Sequence, residues 1–384
     1  MKKILICASR MSHITNFHLP YIEYFRSRGY EIHAAAEGAE AHPLIDKCFD
    51  MRFVKNPLSP ANLKTVSRLK KLISENKYIM VCSNSTLAGA ALRLAVKRIR
   101  KNRPYCVHIS HGYMFDGGRS IRSVIYRSAE RLTAGVTDSL IVMNSEDLEL
   151  AKRYRLGKDI RFTYGMGLRG DRFPEISSSE RSAFRKSLAL PDDSVIFLCV
   201  GEFSGRKNQT MLIEALEMLH LKYKSISLVF AGEGSTLEEC RRLAARLELG
   251  SRVRFLGQVS NVDLLYRSCD VLISGARMEG LPFNVMEALH CNMPVIATRI
   301  KGHTDLIKDG KNGLLFDLKS NNAAHELALT VSKYMDDPDL QKKLRENASL
   351  DKKYYIENVE PKLLSILDKG FDETEIKSPE VSYL

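Results

Sequence analysis

Two successive series of short apolar runs, each alternating with amphipathic helical segments, constrain the fold of this chain more than any other feature. The first series contains KKILICA, YEIHAAA, YIMVCS, YCVHIS and SLIVMN, and the second contains VIFLCVG, SLVFAG, RVRFLG, DVLISG and PVIATR. Strands that alternate with helices indicate a parallel sheet covered on both faces. Because 384 residues exceed one ordinary core, we predict two doubly wound α/β domains of Rossmann type. They span residues 1–170 and 191–351, with a linker over 171–190 that is rich in Gly, Ser and Arg.

The strongest motif follows the run DVLISG, where a loop carries Glu279 and a helix opens near Pro282. Ligands of open α/β sheets bind beyond the carboxyl ends of the strands. The N–H groups at the start of this helix, with its dipole, predict a diphosphate site. Glu279 lies ahead of that site and Glu287 beyond it, so one carboxylate can bond sugar hydroxyls and the other ribose hydroxyls. The residues predicted to bind such a donor are Gly280, Leu281, Pro282, Phe283, Asn284 and Glu287.

A plainer interpretation makes Glu279 a helix-start carboxylate and Glu287 a solvated helix residue. Glu287, however, falls among Val285, Met286, Ala288 and Leu289. An unpaired charge among apolar neighbours is costly. The pattern therefore favours the functional interpretation.

A second motif follows the run VIFLCVG, where Arg206 and Lys207 lie on a loop that leads into a helix. Cations at this place can neutralise a departing nucleoside diphosphate. A third motif is HISHGY, in which His111 directly follows a strand and precedes Gly112. His108 lies two residues earlier within that strand, and we expect it to be structural.

Glu279 and Glu287, with the seven residues GLPFNVM between them, resemble the E-x7-E signature of retaining glycosyltransferases with the GT-B fold, in particular the GT4 family. The later run PVIATRIKGHTDLIKDGKNGLLF is similar to the same family. The resemblance implies a cleft between the two domains, with a nucleotide sugar held mainly by the C-terminal one. It also implies a final helix, near residues 352–370, that packs back on the N-terminal domain.

The resemblance also implies individual roles. His111 would contact the reacting sugar, as in exopolysaccharide-type members, and Lys207 would bind the diphosphate. The family has Arg where this chain has Glu202, so Arg206 would substitute for it. The family's first loop has a Gly-Gly pair that residues 9–20 lack, and Ser12, His13 and Asn16 would replace it. The nucleotide base would be recognised around Gly257 and Val259, mostly through backbone groups.

The net charge of +12 is distributed unevenly along the chain. Residues 1–164 contain 28 Lys and Arg against 14 Asp and Glu, so the whole excess lies in the N-terminal domain. Residues 91–103 and 118–131 concentrate it, with basic and apolar residues at helical spacing. This pattern is typical of a surface that faces anionic lipid, although each segment alone could be a solubilising face. We expect a membrane partner and no nucleic acid.

The eight cysteines are scattered without a C-x-x-C pair, as in a reduced cytosolic protein. No His, Cys and carboxylate residues cluster at ligand spacing along the sequence, and Asp337-Pro338-Asp339 is interpreted as a helix cap rather than a metal-binding D-x-D motif. We therefore expect neither a catalytic metal nor another cofactor.

Together these features predict a retaining glycosyltransferase, with His111, Glu279 and Lys207 as its catalytic residues. It would move a hexose or N-acetylhexosamine from a nucleotide sugar, expected to be UDP-linked, to a saccharide on polyprenyl diphosphate in bacterial surface polysaccharide synthesis. It would act in the cytoplasm, peripherally on the inner face of the cell membrane. Two alternatives remain open: a nucleotide-sugar epimerase of the same architecture, and a non-catalytic nucleotide-sugar-binding protein on the membrane surface.

Overall fold

The computed structural model describes residues 1–54, 59–190, 193–318 and 322–375, with side chains described to residue 369. The chain divides into two compact units. The first comprises Met1–Gly167 together with the segment from Ile356 onward, and the second comprises Leu168–Tyr355.

The first unit is built on a seven-stranded sheet in the order β3-β2-β1-β4-β5-β6-β7, with every described pairing parallel. Its strands are β1 Lys3–Arg10, β2 Glu31–Glu37, β3 Lys47–Asp50, β4 Met80–Asn84, β5 Tyr105–Ser110, β6 Ser139–Val142 and β7 Asp159–Phe162. Its helices up to the end of this sheet are α1 Met11–Phe17, α2 Leu19–Ser27, α3 Pro60–Asn76, α4 Thr86–Lys97, α5 Ile121–Ala134 and α6 Ser145–Tyr154.

The second unit is built on a six-stranded parallel sheet in the order β10-β9-β8-β11-β12-β13. Its strands are β8 Val195–Val200, β9 Ile226–Ala231, β10 Val253–Phe255, β11 Val271–Ser274, β12 Val295–Thr298 and β13 Gly313–Phe316. Its helices are α7 Ser178–Ser187, α8 Gln209–Leu219, α9 Leu237–Arg246, α10 Val262–Ser268, α11 Phe283–His290, α12 His303–Leu306, α13 Ala323–Met335 and α14 Pro338–Asn347. The chain then returns to the first unit as α15, Ile356–Glu375.

The carboxyl ends of β8 and β11 meet at the point where the strand order of the second sheet reverses, and those of β1 and β4 do so in the first sheet. Such switch points are where doubly wound sheets bind ligands. Most strand residues are buried on both faces, which explains why the strands are continuous apolar runs.

Residues 171–190, predicted as a linker, instead belong to the second unit. They contain α7, which begins with a capping box: Ser177 Oγ accepts from the Glu180 amide, and the Glu180 carboxylate accepts from the Ser177 amide. Arg181 and Arg185 each pair with Asp270 at 2.7 Å, next to β11. These ion pairs fix the helix to its own sheet.

The segment 9–20, predicted as a loop, is mostly helical. The helix α1 follows β1 directly, because Met11 and Ile14 are three residues apart and both are buried. The structure therefore does not show the open backbone loop implied by the family's Gly-Gly pair.

The basic segment 91–103 is only partly a surface feature. Arg93, within α4, is fully buried, and its guanidinium donates to both carboxylate oxygens of Glu130 on α5, at 2.8 and 3.0 Å. Burial opposes ionisation of Glu130, but Arg93 outweighs it and holds the pKa of that carboxyl below its usual value. Arg93 thus joins two helices, and only the end of the segment is exposed.

Candidate active site

In the second unit, the loop between β8 and α8 presents the two predicted cations. Gly201, which ends the β8 run, has a φ of +149°, and a Cβ there would lie 3.2 Å from Lys207 Cε. Glycine therefore leaves room for the Lys207 side chain at the carboxyl end of the strand. Glu202, at the position of the family's Arg, is exposed.

Glu279 forms ion pairs with both of these cations. Its Oε1 lies 2.8 Å from Lys207 Nζ and 2.9 Å from Arg206 Nη1, and its side chain is 8% exposed. Burial is the largest influence on Glu279 and favours the neutral form, but Lys207 and Arg206 together lower the pKa of its carboxyl. Glu279 is therefore a charged residue that fixes two cations at the switch point. It is not merely a helix-start carboxylate.

The helix α11 begins at Phe283, with Pro282 as its N-cap. The Asn284 side chain donates to the Val200 carbonyl at 3.0 Å, which ties the helix start to the end of β8. Gly302, with φ +80°, packs so closely that a Cβ there would lie 2.3 Å from the Gly280 carbonyl. The predicted diphosphate-binding segment, Gly280–Asn284, is thus held between the β8 end and the loop after β12.

Glu287 is not a solvated residue. Its carboxylate accepts a hydrogen bond of 2.7 Å from the Tyr266 hydroxyl, on α10. Burial raises the pKa of Glu287, and the Tyr266 bond and the Lys207 charge offset only part of that rise. A carboxyl with this setting can bond hydroxyl groups of a ligand at low cost in desolvation.

The segment predicted to recognise the base lies beyond β10. The Gly257 carbonyl accepts from the Gly232 amide at 2.7 Å, so the loops after β9 and β10 are joined by their backbones. Gly257 and Val259 are half-buried. All of these groups belong to the second unit and follow its strands β8, β9, β10 and β11. They are the two cations, the start of α11, Glu287 and the backbone of the loops after β9 and β10.

In the first unit, His13 and His111 are brought together, with their Nε2 atoms 3.1 Å apart and their rings edge to face. Burial and the neighbouring histidines lower the pKa of His111 well below its usual value, and burial lowers the pKa of His13 to about 4. Both rings are therefore neutral near pH 7. Ser12 is exposed on the outer face of α1. His108 is buried and its Nδ1 lies 2.9 Å from Ser83 Oγ, as expected of a structural histidine.

Sequence reasoning missed two features of these sites. Tyr266 looked like one more apolar helix residue, since its partner lies 21 positions away. His18 joins His13 and His111 in a cluster of three imidazoles whose ligand atoms lie within 4.8 Å of one another. The sequence shows no such cluster at ligand spacing, because His111 is remote from the other two in sequence and meets them only in the fold. The expectation of no catalytic metal stays a prediction. Asp337 does cap α14, accepting from the Leu340 amide at 2.9 Å.

Comparisons with known proteins agree with this geometry. The family model described as "Glycosyl transferases group 1" matches residues 180–351. A Bacillus subtilis (strain 168) protein named glycosyltransferase EpsD is 33% identical over 345 residues, which are 89% of this chain and 90% of that protein. An Escherichia coli protein named UDP-Gal:alpha-D-GlcNAc-diphosphoundecaprenol alpha-1,3-galactosyltransferase is 25% identical over 264 residues, 67% of each chain.

Among solved structures, Anabaena Alr3699/HepE in complex with UDP is 18% identical with a TM-score of 0.71, covering 96% of this chain and 100% of that one. WaaG, a glycosyltransferase involved in lipopolysaccharide biosynthesis, is 17% identical with a TM-score of 0.71, covering 98% and 100%. The predicted GT-B fold class is confirmed. The chain belongs to the group 1 family of glycosyltransferases, and it is a glycosyltransferase.

Proposed function

We propose that the chain transfers a hexose or N-acetylhexosamine from a UDP-sugar to a polyprenyl-diphosphate-linked saccharide in surface polysaccharide synthesis, with retention of configuration. The observation that carries the proposal is that Lys207 and Arg206 both form ion pairs with Glu279 beside the start of α11. An ammonium has three donors and a guanidinium five, so both cations can bind Glu279 and phosphate oxygens together. Similar proteins support the donor and acceptor classes, since one structure of the same fold contains UDP and one relative is named for a diphosphoundecaprenol-linked substrate.

Catalysis would rest on positioning and on charge. The diphosphate leaving group would be bound by Lys207, Arg206 and the amides at the start of α11, which stabilise negative charge as it develops. Glu287 would bond the ribose hydroxyls, Glu279 the sugar hydroxyls, and Gly257 and Val259 the base. His111 keeps its proposed role toward the reacting sugar. The reaction would require no metal ion or other cofactor.

A cavity in the first unit supports an amphiphilic acceptor. It has a volume of about 620 Å³ and lies at the carboxyl ends of the strands beside α5. Phe53, Met114 and Tyr126 contribute apolar and aromatic walls, Arg10 and Arg52 contribute cations, and Glu37 and Glu130 contribute carboxylates. Such a lining suits an amphiphilic ligand, with the two arginines as the groups that would bind a phosphate.

The exposed face of α5 supports a peripheral position on the inner face of the cytoplasmic membrane. Four apolar side chains on it are largely exposed: Ile121 at 81%, Val124 at 38%, Ile125 at 53% and Leu132 at 55%. Exposed Arg119, Arg122 and Arg131 accompany them. A helix with this composition binds an anionic lipid surface through both apolar insertion and charge. Among the described residues, none of the helices has the length and apolarity needed to cross a bilayer.

The central test is the variant Glu279→Gln, assayed with a panel of UDP- and GDP-sugars, with and without a polyprenyl-diphosphate-linked saccharide. We expect kcat to fall by about 10²–10³-fold, because a neutral amide no longer fixes the two cations that stabilise the leaving group. Nucleotide release and saccharide product would both be measured, and product NMR would give the anomeric configuration.

The matched control is Asp336→Asn, which removes a carboxylate that pairs with Lys222 at 2.6 Å on the surface of the same unit. It should retain wild-type turnover. Full transfer by Glu279→Gln would overturn the mechanism. Conversion of the nucleotide sugar to an epimer without acceptor would identify the epimerase instead.

A further inference from the structure

The three-histidine cluster of the first unit combines two segments of the chain, one after β1 and one after β5. His13 lies on α1, His18 lies between α1 and α2, and His111 follows β5. One ring nitrogen of each can be chosen so that all three lie within 4.8 Å of one another. Imidazole nitrogens are common ligands of Zn²⁺, Cu²⁺ and Ni²⁺.

The distance between the His13 and His111 ring nitrogens fits tetrahedral coordination of a metal ion. Zinc binds imidazole nitrogen at about 2.0–2.1 Å, which separates two ligand nitrogens by roughly 3.3 Å in a tetrahedral site. His13 Nε2 and His111 Nε2 are already 3.1 Å apart. The ligand nitrogen of His18 lies within 4.8 Å of the other two.

A hydrogen bond shared by His13 and His111 would explain those two residues without a ligand. It does not explain His18, whose side chain is 2% exposed. Within the described part of the chain, His18 Nε2 has no hydrogen-bond partner. A buried ring nitrogen without a partner is costly to keep, and it is a group that a bound ion would satisfy.

We propose that His13, His18 and His111 bind one transition-metal ion, of which Zn²⁺ is the best match, and that the fourth position is open. The ion would be coordinated by His111 Nε2, so that this atom could no longer contact a sugar. If His111 contacts the reacting sugar, as the proposed function holds, then bound Zn²⁺ inhibits transfer. The binding itself does not depend on that function.

The binding test uses full-length protein without an affinity tag, stripped with a chelator and dialysed. Zn²⁺ would be titrated by calorimetry and then measured by elemental analysis. We expect about one ion per chain, and at least a tenfold weaker affinity in His18→Gln and in His13→Gln. His325→Gln removes an exposed histidine of the second unit and should bind zinc as the wild type does. Melting temperatures without metal would verify that each variant is folded.

Cys48 is half-buried, whereas the other seven cysteines are buried, so Cys48→Ser tests whether the most accessible thiol binds the zinc. Co²⁺ substitution should give the visible bands of a tetrahedral nitrogen site and no thiolate charge-transfer band. Zinc below a tenth of an ion per chain would overturn the proposal. So would binding that persists in both histidine variants or is lost in Cys48→Ser.

Inhibition is measured separately, by transfer assays over a Zn²⁺ titration in wild type and His18→Gln. We expect inhibition that is relieved at least tenfold in the variant. Zinc binding without inhibition would overturn the inhibitory role alone. Zinc binding by a protein that transfers no sugar would overturn the proposed function and leave the metal site standing.

Discussion

Glu279 and Glu287 are the same residue type in one short segment, yet their pKa values shift in opposite directions. Two cations lower the pKa of Glu279 in spite of its burial. For Glu287 burial prevails, and its pKa is raised. Glu279 therefore fixes the positions of two cations, while Glu287 is suited to hydrogen bonds with neutral hydroxyl groups.

The variant Tyr266→Phe tests the role of Glu287. The Tyr266 hydrogen bond lowers the pKa of Glu287, so its loss should raise that pKa further. The ionised form would then be lost at a higher pH as the pH falls, and the acid limb of donor binding should move to higher pH. We expect the donor KM near neutral pH to rise by up to about tenfold, because a smaller fraction of Glu287 is ionised and a neutral carboxyl accepts weaker hydrogen bonds from the donor hydroxyls.

Its control is Tyr223→Phe, which removes a hydroxyl that donates to Asp336 at 2.7 Å on the surface. Steady-state KM and kcat would be measured across pH for both variants. A loss of kcat at unchanged KM would place Glu287 in the chemical step rather than in donor binding.

At this scale the sequence predicted that Glu279, Glu287 and Lys207 lie beyond the carboxyl ends of the second sheet's strands, because each follows a strand in a recognisable pattern. Their roles in binding and catalysis stay predictions. It could not predict Tyr266 or His18. Both acquire their roles from contacts between segments that are remote along the chain. The Tyr266–Glu287 hydrogen bond joins α10 to α11, and the His13–His111 contact joins α1 to the residue that follows β5.

Among the elements, the ten apolar runs were confirmed as strands, because parallel strands covered on both faces are apolar throughout. The strands β3, β7 and β13 were not predicted, and β3 and β7 are only partly buried edge strands. The helix α1 was missed because residues 9–20 were interpreted from a family loop, although Met11 and Ile14 already had helical spacing. The helix α7 was missed in spite of a readable signal, the Ser177-x-x-Glu180 capping box. Composition alone had indicated a linker there.

The α5 face yields a prediction for the element as a whole. Replacing Ile121, Ile125 and Leu132 together by Gln should weaken binding to anionic vesicles by at least tenfold, because apolar insertion is lost. The matched control replaces three exposed apolar residues of the second unit by Gln: Met218, Leu221 and Leu329. Vesicle co-sedimentation would compare the two. Equal binding by both variants would exclude α5 as the membrane contact.

For the whole molecule, the charge division predicts how membrane binding depends on salt. Residues 1–164 carry twice as many cations as anions. Screening shortens the reach of these charges from about 10 Å at 0.1 M salt to about 3 Å at 1 M. Binding to anionic vesicles should therefore fall steeply with added salt.

Vesicles without anionic lipid provide the comparison, and binding to them should be weak at every salt concentration. Salt-independent binding, or equal binding to neutral vesicles, would contradict the electrostatic part of the proposal.

The return of the chain to the first unit has a consequence for biosynthesis. The helix α15 buries Val359, Leu363, Ile366 and Leu367 in a unit whose other elements end at Gly167. Domains usually fold in the order in which the ribosome releases them. Here the second unit is complete before the first has received its last helix. We therefore expect the first unit to complete its packing only after α15 has been synthesised.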